Sequence, residues 1–308
     1  LSKRLFPELL RAAGLAGVPA VFGYELAWEP HFGAYDERCP YDPLFEAWLV
    51  EQYGSVERAE AVWGMAAPRR DGKVTGPSDD QLVQEGPHRL MVAAYRRFTD
   101  DLVSRRYREV IRIVRTVDDT HLMNVRTGWG GTGSMWIAPR MPFQLTSGAA
   151  HLDFITPEGY GYDAGNIGLA GYVTQFARWA GNGKPVYWGE FGMSVWNGGD
   201  EALRKQRGMY EAFHEMVGRT DADGSSGWWF AGGYRVDEKS DFGFVNPDRS
   251  LRPAAEFHRD AGGFPAPGKP GPEIVMDPDE QPAGIAHLVA NRSAAFVEAW
   301  KAGLLPTL

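Results

Sequence analysis

Five short runs constrain what this chain can fold into: VPAVFGYEL at 18–26, HLMNVRTG at 121–128, DFITPEGYG at 153–161, KPVYWGEFG at 184–192 and SGWWFAGG at 226–233. Each is rich in apolar residues and ends in glycine, aromatic or acidic residues. A strand of this kind has no polar face to show to water, so it must be covered on both sides, as in a parallel sheet. Between the runs lie segments with helical spacing. The pattern predicts repeating βα units over 2–259, and therefore an α/β fold that is either a (β/α) barrel or a doubly wound sheet.

The helical segments can be placed from their own signals. Residues 2–16 put Leu5, Leu9 and Leu10 on one face, and Gly14 and Gly17 stop the helix. Residues 87–117 are the clearest helix, with Leu90, Met91, Ala94, Tyr95, Phe98, Leu102, Tyr107, Val110, Ile111 and Val114 near a 3.6-residue period. Helices are also expected at 167–181 and 200–218. Between the first strand and the long helix, residues 34–86 form an excursion. Asp42-Pro43 reads as a cap and first-turn proline for a helix ending at Gly54, Ser55 as the cap of a second, and 66–86 as loop. GGFPAPGKPGP, 262–272, reads as a linker. Residues 273–308 are expected to hold a strand, GIAHLVA, and a helix, NRSAAFVEAWKAG, as the start of a further region.

Composition narrows the function. The net charge is −8, which disfavours a nucleic-acid partner, because phosphate contacts need a basic face. No run of about 18 apolar residues is present to span a bilayer, so no membrane partner is expected. The single cysteine, Cys39, excludes an internal disulfide and a cysteine-based zinc site. The seven histidines form no HExxH cluster, and there is no GxSxG elbow, P-loop or dinucleotide fingerprint. No metal and no cofactor is therefore expected. The 11 tryptophans supply flat apolar faces of the kind that stack on sugar rings, besides filling cores. A neutral oligosaccharide or polysaccharide suits the charge.

Two carboxylates stand out by position. Glu29 follows the first run, in YELAWEP, and Glu190 ends the fourth, in KPVYWGEFG. In a barrel all strand carboxyl ends meet on one face, where active sites are built, so the two can share a pocket. Glycoside hydrolysis needs such a pair: one carboxylic acid protonates the leaving oxygen, and the other carboxylate attacks the anomeric carbon or activates water.

These motifs resemble clan A of the glycoside hydrolases, which are (β/α)8 barrels, and the excursion FEAWLVEQYGSVERAEAVWG resembles the segment after strand four in the family 42 β-galactosidases. The resemblance covers roughly 2–259. It implies a TIM-type barrel that lacks its first three βα units in this chain, with Glu29 ending strand four as acid/base and Glu190 ending strand seven as nucleophile of a retaining enzyme. It further implies that Tyr160, with Tyr162 as alternate, hydrogen-bonds the nucleophile, and that Trp229, with Trp228 as alternate, forms the floor under the sugar. Asn124, Arg126 and Trp129, at the exit of the second run, are candidates for lining the pocket.

The sequence departs from that family at three points. Trp28 replaces the asparagine that contacts the sugar 2-hydroxyl, which implies an unusual glycone or reduced activity. Glu158 stands where a histidine is often found, so a third carboxylate should perturb the titration of Glu190. Strand four is reached by residue 26, so the strand-two arginine of the family cannot be placed. The chain opens with Leu, and the expectation is that sequence precedes it, or that an oligomer completes the barrel. Two other readings remain open here: a carbohydrate-binding barrel without catalysis, and a metal-dependent barrel hydrolase. Secretion and a cytoplasmic location are both compatible with the sequence.

Overall fold

The computed structural model describes residues 2–128, 140–230, 232, 234–276 and 285–308. A parallel sheet of five strands lies at its centre: β1 (Gly23–Trp28), β2 (Leu122–Thr127), β3 (Thr156–Gly159), β4 (Tyr187–Phe191) and β5 (Gly224–Gly227). The strands stand side by side in chain order, without reversal. A doubly wound sheet reverses order at a switch point, whereas a barrel winds on in one direction. The order therefore decides for the barrel. Among the described residues β1 pairs only with β2 and β5 only with β4, so the barrel is open at both edges.

Strand β1 begins later than the apolar run suggests. Val18 and Val21 bond back to the carbonyls of Leu15 and Val18, so 18–21 is turn and the strand extends to Trp28. Glu29 is thereby brought to the very exit of the strand.

The helices are α1 (Ser2–Ala13), α2 (Asp42–Tyr53), α3 (Val56–Trp63), α4 (Arg89–Val114), α5 (Gly168–Ala180), α6 (Gly199–Arg219), α7 (Pro253–Asp260) and α8 (Ile285–Lys301). Ser55 caps α3 by accepting the Arg58 N–H at 3.2 Å, as expected. Asp42 does not cap α2. Its carboxylate instead takes the Gly76 N–H and the Tyr35 hydroxyl, which ties the excursion together. Within 66–86, expected to be loop, Ser78 and Gln81 form a capping box that starts a short helix, Asp79–Val83.

Three apolar clusters hold these parts. The largest packs α5 and α6 against the outer face of β3 and β4, with Phe191 and Phe213 stacked at 3.8 Å between centroids. Gly159 permits that approach, since a Cβ there would lie 2.8 Å from the Phe213 ring. The second cluster joins α2 and α3 to α4 through Phe45, Trp48, Trp63, Tyr95 and Phe98, which makes the excursion a packed subdomain. The third fastens α1 and α4 to β1 and β2 through Leu10, Tyr24, Val114 and Met123.

The C-terminal part differs from the sequence expectation. Residues 285–290, expected as strand, belong to α8, whose alanine-rich stretch runs on in one helical register. The strand lies instead in the Pro/Gly segment: β6 (Lys269–Glu273) pairs in parallel with β7 (Leu304–Thr307). Phe296 and Trp300 of α8 are buried over Gly168 and Gly171 of α5, so this region is docked into the main core. Among the described residues no helix is long and apolar enough to cross a membrane.

Candidate active site

The carboxyl ends of β1 to β4 converge on a cluster of acidic side chains around one guanidinium. Glu29 is set by the backbone. The β1–β2 register shifts between Glu25 and Trp28, and Glu29 then takes φ +44° while its N–H bonds the Arg126 carbonyl at 3.0 Å. That left-handed conformation costs a non-glycine residue roughly 1–2 kcal/mol. Such strain is characteristic of positions where a side chain must be aimed.

Glu190 is aimed by a second irregularity. Trp188 and Phe191 both pack outward against Phe213, whereas a Cβ on Gly189 would point inward at Thr156 and Arg126. The β4–β5 register shifts between Trp188 and Phe191, and Glu190 joins the inner face there. It is only 4% exposed. Each of its oxygens receives a donor: Tyr160 Oη bonds Oε1, and Arg126 Nη1 bonds Oε2 at 2.5 Å. Tyr160 thus donates to Glu190. The alternate, Tyr162, is buried in the core against Trp188 and Phe213.

Arg126, a sequence candidate for lining the pocket, has a more central place than that reading gives it. It lies within β2, largely buried, with its side chain on the inner face. Besides Glu190 it reaches Glu25 at 3.0 Å through Nη2 and Glu158 at 3.3 Å through Nε. A charged residue inside a parallel strand is the available signal. The guanidinium also lies 4.9 Å from the centre of the Trp28 ring.

Glu158 stands opposite Glu190 on β3 and is fully buried. Among the described residues no donor is aligned on either of its oxygens. Burial first, then the neighbouring Glu29 and Glu190 carboxyls, pushes its pKa up to about 10. Burial also raises Glu190, opposed by the Tyr160 hydrogen bond and the Arg126 charge and reinforced by Glu29. Burial raises Glu25 too. Burial and the bond to Glu190 raise the Tyr160 phenol well above its ordinary value.

Aromatic side chains line the approach. Trp28 is 56% exposed and lies 6.1 Å from Trp228, centroid to centroid. Trp228 and Trp229 follow β5, and Arg235 lies over both rings at 5.7 and 5.3 Å. The indole N–H groups of both tryptophans are buried without a hydrogen-bond partner among the described residues. Asn124 lies two residues below Arg126 on β2, where its amide donates to Thr156 Oγ1 at 2.6 Å. Trp129 lies outside the described residues. Among the described residues no group of three or more His, Cys, Asp or Glu side chains is arranged to hold a metal ion.

No family model matches this chain, and no curated protein does. Solved structures do. A β-galactosidase from Bacillus circulans sp. alkalophilus is similar with a TM-score of 0.70 at 15% identity, over 99% of this chain and 47% of that one. The cold-adapted β-galactosidase from Rahnella sp. R3 gives 0.67 at 17% identity, over 99% and 47%. The β-galactosidase from the Antarctic haloarchaeon Halorubrum lacusprofundi gives 0.64 at 17%, over 99% and 48%. The chain thus spans about half the length of these structures and shares with them the TIM-barrel fold of glycoside hydrolases.

Proposed function

We propose that this chain carries the active site of a retaining β-glycosidase that acts on neutral oligo- or polysaccharides. The observation that supports this reading best is the anchoring of Glu190, whose two oxygens are held separately by Tyr160 and Arg126 with Glu29 close by. A nucleophilic carboxylate needs a fixed direction of attack and a stabilised charge, and the two donors supply both.

In the first step a Glu190 oxygen attacks the anomeric carbon through an oxocarbenium-like transition state. The glycosidic C–O bond breaks, and the leaving oxygen takes the proton of Glu29. In the second step Glu29 removes a proton from water, the water oxygen bonds the anomeric carbon, and Glu190 leaves as a carboxylate. The configuration is retained, and the two reacting carboxyls are expected about 5–5.5 Å apart in the substrate complex. Trp228 and Trp229 offer aromatic faces to the sugar, and Trp28 offers its exposed face to the group entering from solvent.

The exposed Trp28 also favours a second reading, a barrel that binds oligosaccharide without cleaving it. The same experiment separates the two. Glu190→Gln should abolish turnover of aryl β-glycosides with the fold intact, and a fluorosugar inactivator should label Glu190 in the unaltered chain. Binding without hydrolysis in the unaltered chain would support the second reading. Turnover that survives Glu190→Gln would overturn the first.

A further inference from the structure

The Arg126 guanidinium reaches three carboxyl groups, those of Glu25, Glu158 and Glu190, and the Glu29 carboxyl neighbours Glu158 and Glu190. The reaction proposed above uses two of them, and Glu25 is one-third exposed at the open edge. Glu158 has no role in that reaction, no exposure to water and no aligned donor among the described residues. Like charges this close cannot all ionise in a dry site. One of the carboxyls must keep its proton.

We propose that Glu158 holds this proton as a neutral carboxylic acid beside Glu29 and Glu190, setting their spacing. The inference rests on the glycosidase reading for its functional part only. Glu158 lies directly across from Glu190 on the adjacent strand, and the Glu29 carboxyl is among its neighbours. The charged and titratable groups that face it are Glu29 beyond β1, Arg126 on β2, Glu190 on β4 and Tyr160 on its own strand. Arg126 turns its Nη atoms to Glu190 and Glu25 and offers Glu158 only an unaligned Nε. The guanidinium therefore favours ionised Glu190 and leaves Glu158 as the site of the proton. The raised pKa of Glu158, which reflects burial and the two flanking carboxylates, agrees with this assignment. Glu158 is a positioning residue: a neutral carboxyl lets Glu29 and Glu190 stand near each other, where an ionised one would repel Glu190.

Infrared spectroscopy of the full chain at about pH 8 reads the proton directly, because an exposed carboxyl is ionised there. A protonated-carboxyl C=O band is expected in the unaltered chain, absent from Glu158→Gln and retained in Glu190→Gln. Thermal unfolding gives a second reading that needs no activity. The folded state holds a proton that the unfolded chain releases, so the unaltered chain should lose stability relative to Glu158→Gln as pH rises from about 5 to about 9. In turnover, Glu158→Ala should lower kcat roughly 10- to 100-fold, and Glu158→Gln, which keeps a neutral donor, should recover most of that loss. Absence of the band, or a Glu158→Gln variant as inactive as Glu190→Gln, would overturn the proposal. If Glu190→Gln were fully active the glycosidase reading would fail, yet the band and the unfolding comparison would still decide where the proton resides.

Discussion

Arg126 Nη1 donates to Glu190 Oε2 at 2.5 Å across two strands that are not neighbours, β2 and β4, with β3 between them. The bond crosses the inner face of the sheet, and the same guanidinium contacts Glu25 on β1 and Glu158 on β3. One side chain thus contacts carboxyls from three other strands. Removing it leaves buried carboxyls unpaired. Arg126→Met is expected to destabilise the fold by about 3–5 kcal/mol at neutral pH, measured by urea unfolding. The loss should shrink at about pH 4, where the carboxyls take up protons.

Tyr160 acts on the other oxygen of Glu190. Its hydrogen bond favours the carboxylate form, so Tyr160→Phe removes a stabilising contact from the charged state. The acid limb of the kcat/KM profile should move to higher pH, and kcat should fall roughly 10- to 100-fold, the worth of one hydrogen bond to a charged group. Circular dichroism should be unchanged. A profile that does not move would separate Tyr160 from Glu190 functionally.

At the opposite end of the sheet a polar cluster supports the fold. Asp118 Oδ2 accepts the Tyr24 hydroxyl at 2.6 Å and contacts His121 Nδ1 at 2.5 Å, while His121 Nε2 lies 3.0 Å from the Val18 carbonyl. Burial pushes Asp118 upward, but the hydrogen bonds from Tyr24, His121 and the backbone outweigh it and hold the carboxyl far below its ordinary value. The bond to Asp118 raises His121 above its own. The His121 contribution is therefore fully present below about pH 6.5 and is lost as pH rises through the raised value. The Asp118 contribution is present above about pH 4 and is lost as pH falls. Asp118→Asn should lower Tm at pH 6 more than at pH 9. Equal losses at both would show that His121 is not coupled to it.

The docked C-terminal helix makes its own prediction. The Arg219 guanidinium lies 3.5 Å from the centre of the Trp300 ring and donates to the Trp300 carbonyl at 2.8 Å. Trp300→Ala should cost about 3–5 kcal/mol in chemical unfolding in a single transition. A separate early transition would mean that α8 unfolds independently of the barrel.

Much of the site could be read before the fold was known. Glu29 and Glu190 stood out because each follows an apolar run, and strand exits of a barrel share one face. Tyr160 came from the motif around it. Arg126 and the central place of Glu158 were not legible in the same way. Their importance depends on which strand lies beside which, and on two register shifts that turn Glu29 and Glu190 to the inner face. The same limit explains α8, where a short apolar run reads equally as strand or helix until its neighbours are known.

The sequence by itself determined the βα alternation, the excursion with its Ser55 cap and Gly54 stop, and the chemical character of the strand ends. Those features are local, set by periodicity, glycine and capping within a few residues. Tertiary structure decided the rest: strands in unreversed order, hence a barrel; Arg126 shared among Glu25, Glu158 and Glu190; and a proline-rich segment recruited as strand β6. Each of these depends on contacts between residues tens to more than a hundred positions apart. Their energies come from burial and from charge in a dry site, and neither exists until the chain has closed around them.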